Sequence, residues 1–129
     1  MLVVDASAVV HLALRRALSR LEPHDAVGPS LLWSETTSAL RQLAWRRDIE
    51  DSHSEQALAD LAEALIDIRP AAETAVEAYR LSVRLGWART YDAEYVALAE
   101  GLSCPLLTVD ARLARTAARV VEIFPLESV

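Results

Sequence analysis

Two carboxylates in this chain stand where apolar runs stop. Asp5 follows Leu2-Val3-Val4 directly, and Asp110 closes the run Pro105-Leu106-Leu107-Thr108-Val109. A charge at the end of a buried strand needs a partner or a task, because burying it unpaired is costly. Two more acids, Glu35 and Asp92, fall in the opening turns of helical segments that leave the same kind of edge. Four carboxylates brought to one rim would repel one another and drift toward protonation unless positive charge sat between them. Oxygen ligands without Cys or His select magnesium, with manganese as a substitute, over zinc or copper. Four carboxylates carry −4 and two divalent ions +4, so such a pocket could admit a phosphodiester. Two ions about 3.5–4 Å apart would let one activate water while the other stabilises the leaving oxygen.

Each acid also has a plainer use. Asp92 suits a first helical turn through the helix dipole, Asp110 could cap the helix behind it, and Glu35 could face solvent. It is their joint placement that points to chemistry. Ser7 and Thr108, each two residues from an aspartate, are candidates to orient ligands or to bond a bound phosphate. Arg89, Arg112, Arg115 and Arg41 lie near the quartet in sequence and are candidates for phosphate contacts. His11 could reach toward the site from the first helix or simply lie on a helix face. The three histidines and Cys104 have no zinc spacing.

Elements must then carry these residues to one edge. Short apolar strands are expected at 2–4, 26–27, 65–68, 105–109 and 120–124. Helices are expected at 7–18, from the cap Ser30 to 47, from the capping box Ser52-His53-Ser54-Glu55 to 65, at 72–85 ending on Gly86, at 91–100 ending on Gly101, and at 111–118. Strands alternating with helices predict an α/β fold of three layers, α/β/α, with a mostly parallel central sheet. In such sheets ligands sit beyond the carboxyl ends of the strands, where Asp5 and Asp110 are expected.

The chain has 129 residues, 53% of them hydrophobic, which suits one domain spanning 1–129. Its single cysteine excludes an internal disulfide, and the opening segment has neither a basic leader nor an uninterrupted apolar span, so a cytoplasmic protein with no membrane segment is expected. The net charge of −6 argues against holding nucleic acid by bulk electrostatics. All thirteen basic residues are arginine, so chemistry that needs a catalytic lysine is excluded, along with a P-loop. Trp33 and Trp45 lie about 120° apart on one helix at about 100° per residue, so they do not share a stripe. Trp87, in a loop, is expected to be the more exposed tryptophan.

The runs VVDASAVV, PSLLWSE, TYDAEYVALA and LLTVDARLA, in this order across nearly the whole chain, closely resemble the PIN-domain ribonucleases, in particular the VapC-type toxins of bacterial toxin-antitoxin pairs. The resemblance implies a PIN-like domain with magnesium-dependent endoribonuclease activity, in which metal-activated water attacks a phosphodiester of structured cellular RNA. It makes Asp5, Glu35, Asp92 and Asp110 the acidic quartet, with Asp5 and Asp92 as direct magnesium ligands and Ser7 and Thr108 as the accompanying hydroxyls. It further implies a homodimer and a co-encoded VapB-type antitoxin whose C-terminal segment lies across the acidic groove. The alternative is a catalytically silent module of the same fold that acts through a partner protein. Phosphatase and receiver chemistry is disfavoured, since both resemble families that use a lysine, and Ser7 stands where the phosphatase motif has a second Asp.

Overall fold

A computed structural model describes residues 1–129. The apolar runs Leu2–Val4 (β1), Ala26–Pro29 (β2) and Leu106–Leu107 (β4) are buried at every position, and Asp67–Arg69 (β3) forms a more exposed edge. All pairings are parallel, in the order β3-β2-β1-β4, so the sheet is wholly rather than mostly parallel. Val3 is opposite both Val27 and Leu106, which places β1 at the centre. Strands covered on both faces need unbroken apolar sequence, as these three have.

The chain steps from β1 to β2 to β3 in one direction, then crosses back to lay β4 on the far side of β1. Right-handed crossovers put the helices of those two journeys on opposite faces. The packing agrees. Ala6–Leu14 (α1), Leu31–Trp45 (α2) and Asp51–Glu63 (α3) pack on one another, while Tyr91–Leu102 (α5) lies on β1, β2 and β4 with Ala75–Leu85 (α4) against it. A last helix, Ala111–Ala117 (α6), follows β4. The gap between β1 and β4 is therefore the point where the winding reverses, and Asp5 and Asp110 stand at its carboxyl edge.

Several boundaries differ from expectation. The first helix stops at Leu14, and a 3₁₀ stretch, Leu18–His24, leads to β2. The expected capping box does not form: α3 begins at Asp51, and Ser54 Oγ instead donates to the Leu40 carbonyl at 3.1 Å, tying α3 to α2. Ser30 precedes α2 without a side-chain cap bond. Gly101 lies inside α5, and Ser103 takes the left-handed conformation at its end (φ 51°). The strand expected at 120–124 is reduced to a bridge from Ile123 to Leu106. No helix is long and apolar enough to cross a membrane.

Candidate active site

Asp5 is only 4% exposed, and its carboxylate is almost fully engaged. Oδ1 accepts the Ala8 N–H at 2.8 Å, capping α1, and the Ser7 hydroxyl at 2.7 Å. Oδ2 accepts the Thr108 hydroxyl at 2.5 Å. The two hydroxyls are themselves aimed by backbone, since Val109 N–H donates to Ser7 Oγ at 3.0 Å and Asp110 N–H donates to Thr108 Oγ1 at 3.1 Å. One connected network thus stitches the end of β1 to the end of β4. The Ser7 hydroxyl also lies 3.0 Å from Oδ2, so little of the carboxylate's acceptor capacity is left unused. Burial pushes its pKa up to about 6, against the lowering effect of Thr108, Ala8 and Ser7, and the charge of Asp110 raises it further.

Asp110 caps α6, its Oδ1 accepting from Arg112 N–H at 2.9 Å and Leu113 N–H at 3.1 Å. Its Oδ2 has no protein partner. Both strand-end aspartates are therefore helix caps, and Asp110 keeps a whole oxygen to spare. Asp92, in the first turn of α5, meets the guanidinium of Arg112 through Oδ2 at 3.4 Å; its Oδ1 is unpartnered. Burial raises its pKa, Arg112 lowers it and Asp110 raises it. Glu35, one turn into α2, accepts the Tyr95 hydroxyl at 2.7 Å through Oε1, while Oε2 is unpartnered. Burial raises its pKa, Tyr95 opposes that, and Asp92 and Glu94 add to it.

The repulsions form a chain: Asp5 feels Asp110, Asp110 acts on Asp92, and Asp92 acts on Glu35. The four acids therefore share one rim. They are not gathered into a closed cage, for no three of the His, Cys, Asp and Glu side chains are grouped tightly enough to enclose an ion. The donor set still fits hard divalent cations, because every candidate ligand is a carboxylate and Asp110, Asp92 and Glu35 each keep an oxygen that no protein group bonds. Glu35, Asp92, Arg89 and Arg112 line a cleft of about 580 Å³ together with Trp87 and Tyr91.

The sequence alone does not pick out Tyr95. It lies three residues after Asp92, the helical spacing that puts both on one face, and its buried hydroxyl fixes Glu35. Burial and Glu35 push its own pKa up, so it remains a donor. His11, half-buried on α1, has its pKa lowered by burial and by the positive charges of Arg15 and Arg20. Arg41 lies on a separate shallow hollow along α2 with Trp33. The tryptophan ranking is reversed, with Trp45 73% and Trp33 39% exposed and Trp87 half-buried against the core.

A parallel sheet wound to both sides of β1, with a rim of carboxylates at its switch point, defines an α/β domain built around an acidic site. The PIN domain family model matches residues 2–119. "Ribonuclease VapC9" of Mycobacterium tuberculosis is 34% identical over 118 residues, 90% of this chain and 91% of that protein. "Ribonuclease VapC1" of the same species is 35% identical over 127 residues, 94% of each chain. The crystal structure of PAE2754 from Pyrobaculum aerophilum superposes with a TM-score of 0.72 at 24% identity, covering 95% of this chain and 87% of that one. The chain belongs to the PIN-domain family, among the VapC ribonucleases.

Proposed function

We propose that this protein is a magnesium-dependent endoribonuclease, the toxin of a toxin-antitoxin pair. The observation that carries the reading is the continuous rim Asp5–Asp110–Asp92–Glu35 beside the β1/β4 switch point, in which Asp110, Asp92 and Glu35 each keep an oxygen that no protein group bonds. The relatives' names, ribonucleases over nearly the full chain, support RNA as the substrate.

Asp5, Asp92, Glu35 and Asp110 would hold the ions, Asp5 and Asp92 most directly. Bound there, divalent ions supply a nucleophile from water at neutral pH and positive charge for an in-line phosphoryl displacement. The chain's own groups do the rest. Ser7 and Thr108 lock the Asp5 carboxylate in orientation, and Tyr95 does so for Glu35. The exposed guanidinium of Arg112, weakly held by Asp92, is placed to take a phosphate oxygen, with Arg89 beside it. The acids at the Asp5–Asp110 end of the rim suit an antitoxin segment that carries basic side chains, and the exposed row Val76, Tyr79 and Val83 on α4 suits a second copy of the chain.

Purified protein incubated with RNA should cleave it with Mg²⁺ and not with EDTA. Loss of even an outer hydrogen-bond partner of a metal ligand costs about 10–100-fold, so Asp92→Asn should lower the rate by more than about 100-fold. Because water attacks, the cut should carry a 5′-phosphate and a 3′-hydroxyl. A 2′,3′-cyclic phosphate, or cleavage that survives both EDTA and Asp92→Asn, would overturn the reading. Binding without cleavage would point to the silent module.

A further inference from the structure

We infer that the cleft beside the acidic rim is a base-stacking subsite, in which Tyr91 and Trp87 hold one unpaired nucleobase of a single-stranded or looped RNA while Arg112 and Arg89 take the adjoining phosphates. This rests on the ribonuclease reading and goes beyond it by naming what the cleft recognises. The first observation is composition: two aromatic rings and two arginines share one cleft of about 580 Å³ with Asp92 and Glu35. Neither ring is used in the fold's own aromatic packing, whose one ring pair is His24 with Phe124. Tyr91 is 54% exposed at the start of α5, directly before Asp92.

The second observation is that the loop carrying these groups is held in place. Gly86 turns the chain at φ 71°, a conformation that favours glycine. The Trp87 N–H donates to the Ser82 carbonyl at 2.8 Å, closing the turn at the end of α4. Trp87 also packs on the core, which leaves its ring little freedom to lose on binding. A held Trp87 and an exposed Tyr91, flanked by exposed guanidinium groups, supply what binds single-stranded nucleic acid by stacking and phosphate contact. A base inside an A-form helix cannot reach such a wall, so the subsite selects nucleotides splayed out of pairing. The Asp92–Arg112 pair is long and exposed, so Arg112 can leave it for a phosphate at little cost. A basic antitoxin segment is the poorer occupant of this part of the rim, since Arg89 and Arg112 would repel it.

The test is equilibrium binding of a labelled single-stranded oligoribonucleotide spanning a mapped cut site, in full-length Asp5→Asn protein so that cleavage does not intervene. Stacking losses by alanine substitution correspond to about 5- to 150-fold in affinity. Tyr91→Ala and Trp87→Leu, the latter keeping the apolar contact with the core, should each weaken binding within that range. Tyr91→Phe should stay within about twofold of the parent. One abasic nucleotide next to the cut should weaken the parent equally and abolish the effect of Tyr91→Ala. Unchanged affinity in Tyr91→Ala, in protein whose melting curve matches the parent, overturns the subsite while wild-type cleavage leaves the nuclease reading intact. Loss of antitoxin binding with RNA binding unchanged also overturns it. Absence of any wild-type RNA cleavage removes both.

Discussion

Asp5 does three jobs with one carboxylate: it caps α1, it ties β1 to β4 through two hydroxyls, and it puts a negative charge at the rim. These jobs conflict energetically. A carboxyl moved from 3.8 to about 6 by folding costs about 3 kcal/mol of stability at neutral pH. The sign follows from the raised value. Below pH 3.8 the group is protonated in both states and its burial carries no charge penalty; as pH rises through about 6 the folded carboxyl must ionise, and that stability is lost. Asp5→Asn preserves shape and can keep the Ala8 bond. It should raise the unfolding free energy at pH 7 by about 1–3 kcal/mol, with the gain gone below pH 4. Denaturant melts of both proteins across pH 3.5–7.5 check this, and a destabilised Asn variant at pH 7 would show that the ionised form is what holds the two strands together.

At the scale of elements, each strand-end aspartate serves a helix as well as the rim, and the two uses separate by substitution. Asp110→Asn retains a cap for α6 whereas Asp110→Ala removes it. Thermal melts should show a loss of about 1 kcal/mol in the Ala variant and little in the Asn variant. Ion affinity should fall in both. Strands, and the acids at their ends, were legible in the sequence because an unbroken apolar run stopped by a carboxylate fits little besides the end of a strand in a buried parallel sheet. Helix ends were less so. Nothing local says that Ser54 will be spent on the Leu40 carbonyl rather than on a cap, because that bond depends on how α3 lies across α2. Gly101 reads as a stop, yet Leu102 packs on the core and draws the helix past it, and Ser103 takes the left-handed turn instead. The Tyr95–Glu35 bond joins residues sixty positions apart, so only the packed sheet reveals it. Trp33 and Trp45 stand out from α2 although they lie about 120° apart on it, because the sides of the helix that α1, α3 and β2 cover are settled by tertiary layout rather than by hydropathy.

Across the whole molecule, the winding of the chain is what creates the site. Sending β4 to the far side of β1 leaves a reversal point between them, and the acids of β1, β4, α2 and α5 open onto that one edge. The same layout leaves the outer face of α4 uncovered, with Val76, Tyr79 and Val83 in a row at helical spacing. If that row is covered by a second copy, wild-type protein should run at twice the chain mass by light scattering at micromolar concentration. Val83→Glu should run at the single mass with its melting curve little changed, and a Val83→Glu protein that stays dimeric would place the contact elsewhere.

Nuclease chemistry at the β1/β4 rim requires these particular carboxylates to form a divalent-cation site. Titrating Mn²⁺ into full-length protein, and reading free ion by electron paramagnetic resonance, measures that without reference to activity. Wild-type protein should bind Mn²⁺ in competition with Mg²⁺, with affinity more than about 10-fold weaker in both Asp5→Asn and Asp92→Asn. Equal Mn²⁺ binding by all three proteins, or none by the wild type, would show that these carboxylates do not form an ion site.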